Sequence, residues 1–335
     1  MIFSLTSRPA TKFRGLRPID LRRDLRPIAN LIGEAFAGEL DAGGRASLRE
    51  MYMLARLGPL LYILLPTSGE LGGFFRGFVW EEEGQIVGNV TMQQIDGLGY
   101  RWMIANVAVH PDFRGRGIAR ALMEATLARI GELGGRWAML QVRANNEIAR
   151  SLYRHLGFEE LVTEIRLRCY SLPRLPTTPL PPGWSLKPLG EDHWSSANYV
   201  LHRAVPEPAR WWHPTRHKEF RQGGDPAFKR WLGQKMGWRW KLRWGVYQGA
   251  DIVGILDITA HDRGFHRLDV LLLPELRESG TEPLLYHALA ELKRYGGRPI
   301  EALLYDYQSP AVETLRALGF RTQVELVSMR KRVSA

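Results

Sequence analysis

The segment Val107-Ala108-Val109-His110-Pro111-Asp112-Phe113-Arg114-Gly115-Arg116-Gly117-Ile118-Ala119 places a strand, a glycine-rich turn and a helix start in immediate succession. Small residues at 115, 117 and 119 let backbone amides approach a ligand closely. The helix N-terminus adds partial positive charge and Arg114 and Arg116 add full charges, so the turn has the make-up of a pyrophosphate cradle. No Lys-Ser/Thr pair follows, which excludes a P-loop, and Gly-x-Gly-x-x-Gly is not completed, which excludes the dinucleotide fingerprint. Taken alone, the same glycines could serve only to relieve backbone strain in a loop.

Upstream, Trp102 to Val109 reads as a buried strand, and Gly77 to Trp80 and Gln85 to Gln93 flank the turn Glu81-Glu82-Glu83-Gly84 as a hairpin. Downstream, Ala119, Leu122, Met123, Leu127 and Ile130 recur at spacings of three and four, which predicts a helix from Gly117 to Ile130 with one face on a sheet. Ala138 to Val142 is the next strand. Asn146 at an N-cap position and Gly157 at a left-handed C-terminal position bound a helix from about Glu147 to Leu156. A helical part is expected ahead of the hairpin. Its apolar run Met51 to Pro66 carries Arg56 and falls short of the roughly 20 residues of a membrane span, so it reads as an amphipathic helix.

Asn146, Ala149, Leu152, Tyr153, Gly157 and Phe158 supply a second constellation about thirty residues beyond the turn. With both in place, the chain resembles the GNAT superfamily of N-acyltransferases. That family pairs an Arg/Gln-x-x-Gly-x-Gly/Ala loop with Asn-x-x-Ala-x-x-Leu-Tyr-x-x-x-Gly-Phe. The resemblance covers the first half and, weakened, the second. It implies that acetyl-CoA is the acyl donor and that Val107, Ala108 and Val109 carry its pantetheine arm, with backbone bonds from Val107 and Val109. It further implies that Arg114, Gly115, Arg116, Gly117, Ile118 and Ala119 hold the pyrophosphate, that Asn146 bonds the pantetheine, and that the Tyr153 hydroxyl sits beside the thioester sulfur. Independently, a phenol with a pKa near 10 suits protonation of a departing thiolate, which makes Tyr153 the candidate general acid. Family members often use a Glu near the central strand as base. Trp102 to Val109 contains no acid, so the base stays open among Glu81, Glu82, Glu83 and His110, each of which also reads as a solvated turn residue.

Five prolines in Ser171 to Gly183 make a semi-rigid linker. The halves it separates repeat one another. Leu16-Arg17-Pro18-Ile19 returns as Leu186-Lys187-Pro188-Leu189, Ile86-Val87-Gly88 as Ile252-Val253-Gly254, and Leu156-Gly157-Phe158 as Leu318-Gly319-Phe320. Pro111, Arg114 and Gly117 return as Pro274, Arg277 and Gly280. The expected architecture is therefore mixed α/β, with two tandem GNAT-like domains, each a mostly antiparallel sheet flanked by helices. Their expected bounds are 1–172 and 184–335, with 173–183 as the linker. The second copy reads Arg277-Glu278-Ser279-Gly280-Thr281-Glu282, whose acids would repel pyrophosphate, and Leu315 replaces Tyr153. It is expected to be degenerate and to help shape the acceptor pocket.

The composition, 45% apolar and 24% charged over 335 residues, is that of a globular protein with room for two cores. Cys169 stands alone, so neither a disulfide within the chain nor a Cys/His zinc site is expected. Met1-Ile2-Phe3-Ser4-Leu5 lacks the pattern of a secretory signal, which points to the cytoplasm. The formal charge of +11 is concentrated: Ala209 to Trp244 holds ten Lys or Arg against two acids, and six of the eleven Trp. Such a stretch suits a nucleic-acid surface, or else amphipathic helices with Trp inside and cations outside. The second reading is preferred. The expected partner is a small-molecule or peptide amine, not a nucleic acid or a membrane. Two alternatives stay open: a non-catalytic protein that senses acyl-CoA, and an enzyme with a nucleic-acid-binding insertion at 209–244.

Overall fold

The structure is a computed structural model that describes residues 13–37, 45, 48–53, 76–176, 178–189, 194–212, 239–261 and 264–333. Most of the expected helix at 51–66, and residues 213–238 of the basic Trp-rich stretch, lie outside the described residues. The chain divides into two compact units. Unit 1 comprises Met1–Gln141, Ile148–Glu159 and Met329–Ala335, and unit 2 comprises Val142–Glu147 and Glu160–Ser328.

Unit 1 begins with β1 (Arg14–Pro18) and α1 (Leu21–Ala35), followed by β2 (Arg76–Glu82), β3 (Gln85–Gln94) and β4 (Arg101–Val109). After a short 3₁₀ turn come α2 (Ile118–Glu132), β5 (Trp137–Arg143, in unit 1 up to Gln141) and α3 (Glu147–His155, in unit 1 from Ile148). The sheet runs β1-β2-β3-β4-β5, antiparallel except for the β4–β5 pair. The β2–β3 hairpin closes through Glu83 and Gly84, both at positive φ (51° and 91°), the geometry whose twist matches that of paired strands.

Leu25, Ile28, Leu31 and Ile32 line the buried side of α1, which lies on β3 and β4. Arg17 ties this helix to the sheet edge. Its guanidinium donates to both oxygens of Asp24 (2.6 and 2.9 Å) and to Glu81 Oε2 (2.7 Å). α2 covers β2, β3 and β4 with Ile118, Leu122, Met123, Leu127 and Ile130 buried. It lies low on the sheet because β3 carries Gly88 beneath it. A Cβ there would come within 2.8 Å of Ile118 and 3.0 Å of Leu122.

Unit 2 contains β6 (Glu159–Cys169, from Glu160 onward), β7 (Trp184–Pro188), α4 (Trp194–Ala204), α5 (Glu207–Trp212), β8 (Arg239–Gln248), β9 (Asp251–His261) and β10 (His266–Leu272). A second 3₁₀ turn leads to α6 (Arg277–Lys293), β11 (Ile300–Tyr305) and α7 (Ser309–Ala317). The final strand β12 (Arg321–Arg332) lies in unit 2 up to Ser328. Strand order is β6-β11-β10-β9-β8-β7, with β10–β11 parallel and the other pairs antiparallel. Leu284, Leu285, Leu289 and Leu292 of α6 are buried in its core.

Three local expectations differ from the structure. Each half opens on a short edge strand, β1 or β7, where a helical part was expected. Such strands carry little apolar signal and form by pairing with β2 and β8. Residues 239–244 belong to β8 and not to an amphipathic helix; Arg243 there pairs with Asp257 at 2.6 Å. Glu81 and Glu82 belong to β2 and not to the hairpin turn. Among the described residues, no helix is long and apolar enough to cross a membrane.

Replacing Gly88 by Val should lift α2 and lower stability by about 1–3 kcal/mol, the usual effect of overpacking. Urea unfolding checks this, and a Val variant as stable as the parent would show that α2 does not depend on the bare backbone at 88.

Candidate functional site

β4 and β5 are parallel neighbours for only three residues, from Arg101↔Trp137 to Met103↔Met139. Beyond that point the strands part, and among the described residues no strand bonds the β5-facing edge of β4. His110 N donates to Val87 O (2.9 Å), so polar groups at 108 and 110 turn toward β3. By strand alternation those of Val107 and Val109 turn to the open edge. Arg114 Nε reaches Val109 O at 3.3 Å, which agrees with that orientation.

The chain leaves this edge through the 3₁₀ turn Pro111–Phe113 and enters α2 over Gly115 and Gly117, at φ 77° and 76°. A Cβ at either glycine would meet nothing within 4 Å, so the backbone here faces open space. Gly117 caps α2 with no side-chain hydrogen bond, and the first turn holds no acid. Helix geometry leaves the first amides without intrahelical acceptors. Arg114 and Arg116 are exposed beside them; Arg116 lies over the Phe113 ring at 4.7 Å. This arrangement fits a pyrophosphate with an extended amide-bearing arm: bare amides and cations at the turn, and an unused strand edge leading from it.

Tyr153, on α3, is 6% exposed and packs against Phe158 at 6.0 Å between ring centroids. Burial pushes its phenol up to about 12, which keeps it protonated across the neutral range. Its helix follows β5 as the glycine turn follows β4, so both emerge at the C-terminal ends of parallel strands, where open α/β sheets collect ligands. Val107, Val109, Ala108, the turn from Arg114 to Ala119 and Tyr153 all belong to unit 1, whereas Asn146 is exposed and belongs to unit 2.

Three of the four candidate bases are otherwise engaged. Glu81 accepts from Arg17, and the Trp80 indole, with Arg14 behind it, holds Glu82 below the usual carboxylate range. Glu83 is an exposed turn residue. His110 lies between Glu34 (Nε2 to Oε2, 3.3 Å) and the Asp112 amide, which donates to Nδ1 at 3.3 Å.

A curated relative is similar over part of both proteins. It is the [ribosomal protein bS18]-alanine N-acetyltransferase of Escherichia coli K12, 42% identical over 55 residues, or 16% of this chain and 37% of that one. Residues 49–158 match the acetyltransferase (GNAT) family model. Over these residues the chain is similar to a GNAT domain. Two solved structures share its fold along nearly the whole length, each at 16% identity. A GCN5-related N-acetyltransferase from Sphaerobacter thermophilus superposes with a TM-score of 0.60 over 96% of both chains. A tandem GNAT protein from the clavulanic acid biosynthesis pathway gives 0.50 over 96% of this chain and 98% of its own. The fold is thus a tandem of GNAT-like domains, each a mixed, mostly antiparallel sheet flanked by helices.

Unit 2 repeats the parted strands but fills what unit 1 leaves open. β10 and β11 pair in parallel only from His266↔Ile300 to Leu268↔Ala302. Past that contact the buried Gln308 side chain bridges them, donating to Val270 O (2.6 Å) and accepting from Tyr305 N (3.1 Å). α6 starts at Arg277, so the glycine turn is absent, and Gly280 is a buried helical residue whose Cβ would strike the Trp184 ring at 2.3 Å. Arg277 is spent on the carbonyls of Tyr307 and Ala204 (2.8 and 2.6 Å). The acids at 278 and 282 suggested a repelled ligand; the structure shows the cradle replaced by continuous helix. Sequence reasoning missed Gln308, although the offset of the two Leu-Gly-Phe triplets places it at the position of Asn146.

Gln308→Leu keeps the side-chain bulk but removes both hydrogen bonds of the bridge. It should lower stability by about 1–3 kcal/mol. Thermal unfolding checks this, and an unchanged melting temperature would contradict the bridging role.

Proposed function

We propose that unit 1 is an N-acyltransferase module that transfers an acyl group, acetyl in the first instance, from coenzyme A to a primary amine. The observation that carries this reading is the coincidence of an open strand edge at Val107 and Val109 with an uncapped, cation-flanked helix start at Gly115 to Ala119. Acyl-CoA supplies an activated thioester. The β4 edge takes the pantetheine amides as an added strand, with Ala108 buried behind them. The amides from Gly115 to Ala119, with Arg114 and Arg116, hold the pyrophosphate. The amine nitrogen bonds to the acyl carbon as the carbon–sulfur bond breaks, and Tyr153 gives its proton to the leaving sulfur. Glu81, Glu82 and His110 already have partners and Glu83 lies exposed in the β2–β3 turn, so the amine's own proton passes to water. The acceptor is a primary amine on a small molecule or a peptide; the partial similarity to a ribosomal-protein alanine N-acetyltransferase makes a peptide amine the first to test.

Acetyl-CoA should bind with a one-to-one stoichiometry by calorimetry and raise the melting temperature. Gly117→Glu should abolish both effects by placing a carboxylate where phosphate oxygens belong. A parent protein that gives neither heat nor thermal shift at millimolar acetyl-CoA sinks the proposal.

Tyr153→Phe should slow turnover by about 100-fold or more while affinity for acetyl-CoA stays within a few-fold. With the phenol pushed up to about 12, the donor is lost only as pH rises toward that value, so no falling limb should come from it at neutral pH. Full activity in the Phe variant, with any amine acceptor that releases coenzyme A, rejects Tyr153 as the acid.

A further inference from the structure

We infer that Asn89, Thr91 and Asn106 form a positioning clamp that determines how β4 presents its open edge to the coenzyme arm. The inference rests on the acyl-CoA reading of unit 1. Along the β3–β4 pair, Thr91 faces Ala105 and Asn89 faces Ala108, so the single residue Val90 stands opposite both Asn106 and Val107. This extra residue is a bulge. Asn106 adopts φ +53°, a left-handed conformation that asparagine tolerates better than most residues. The consequence is a change of phase. Extended without the bulge, the register of Thr91↔Ala105 would turn the polar groups of Val107 and Val109 toward β3, because a one-residue slip reverses every position.

Three side-chain hydrogen bonds hold the bulge. Thr91 Oγ1 donates to Ala105 O, Asn106 Nδ2 donates to Thr91 Oγ1, and Asn89 Nδ2 donates to Asn106 O, each at 3.0 Å. β3 thus supplies polar side chains to carbonyls at the irregularity. Asn89 is fully buried and its Oδ1 has no hydrogen-bond partner. A buried amide with one half unsatisfied is costly, which singles out its Nδ2 bond to the bulge as the reason for asparagine here.

Unit 2 provides an internal comparison. β9 and β10 pair from Gly254↔Leu272 to Thr259↔Arg267 without a break in register. The Ile-Val-Gly repeat aligns Asn89 and Thr91 with Ile255 and Asp257. Ile255 is a core residue there, and Asp257 pairs with Arg243. Where the bulge is missing, the amide and the hydroxyl are missing too.

The test compares acetyl-CoA with ADP, which carries a pyrophosphate but no pantetheine arm, using calorimetry and competition on the full chain. Thr91→Val should weaken acetyl-CoA by about tenfold, the effect of losing on the order of one hydrogen-bonded contact, with ADP unchanged. Thr91→Ser should restore near-parental affinity. Asn106→Gly, which permits the same backbone but removes the amide, should show the same selective loss should the Val variant fold poorly. Equal weakening of both ligands, no weakening of either, or a Ser variant no better than Val overturns the clamp. A parent protein that binds neither nucleotide removes the acyl-CoA reading itself, and the clamp falls with it.

Discussion

The short parallel contact between β4 and β5 is the constraint on which the candidate site depends. Three residues of pairing hold the strands together at one end, and beyond Met103 and Met139 they separate. A strand edge inside a sheet normally has a neighbour, because unbonded amides and carbonyls are unfavourable away from water. Here, among the described residues, no strand bonds that edge past Met103. Gly88 lets α2 settle close to the sheet, and α2 brings its own start, with bare amides and exposed arginines, to the end of that edge. The chemistry assigned to unit 1 needs both features in the same place.

Unit 2 shows the same parted strands with the gap bridged from within the chain. Its strands part after an equivalent three-residue contact, and Gln308 provides the amide that bridges them. Arg277 holds backbone carbonyls, Trp184 lies against Gly280, and Leu315 fills the position of Tyr153 as a fully buried core residue. The fold-defining Leu318-Gly319-Phe320 triplet is kept, with Gly319 at φ 86° as Gly157 is at 84°. Under the proposed function, unit 2 keeps the scaffold without the groups assigned to the chemistry of unit 1.

Much of this was legible in the sequence where the signal is local. The glycine turn, the stripe of α2, the end of α3 at Gly157 and the duplicated framework all depend on neighbours within about one helical turn or on short repeated words. What was hidden depends on distant partners. β1 and β7 exist because β2 and β8 pair with them, and a five-residue stretch such as Arg14–Pro18 carries too little apolar alternation to announce a strand. β6 closes the first half in sequence, yet it pairs with β11 of unit 2, which periodicity could not reveal. The bulge at Asn106 is a matter of register between two strands, and the bridge by Gln308 needs two strands and a turn placed together. The motif makes Tyr153 a candidate, but the upward shift of its phenol comes from burial that only the packed helix supplies.

Amide hydrogen exchange with and without acetyl-CoA tests the central claim most directly, because it reads the strand edge and the helix start residue by residue. The account predicts slowed exchange at Val107, Val109 and the amides from Gly115 to Ala119, with no change at Arg277 to Thr281 of unit 2. Unchanged exchange across 107–119 in a protein that demonstrably binds the coenzyme, or protection appearing at 277–281 instead, would contradict it.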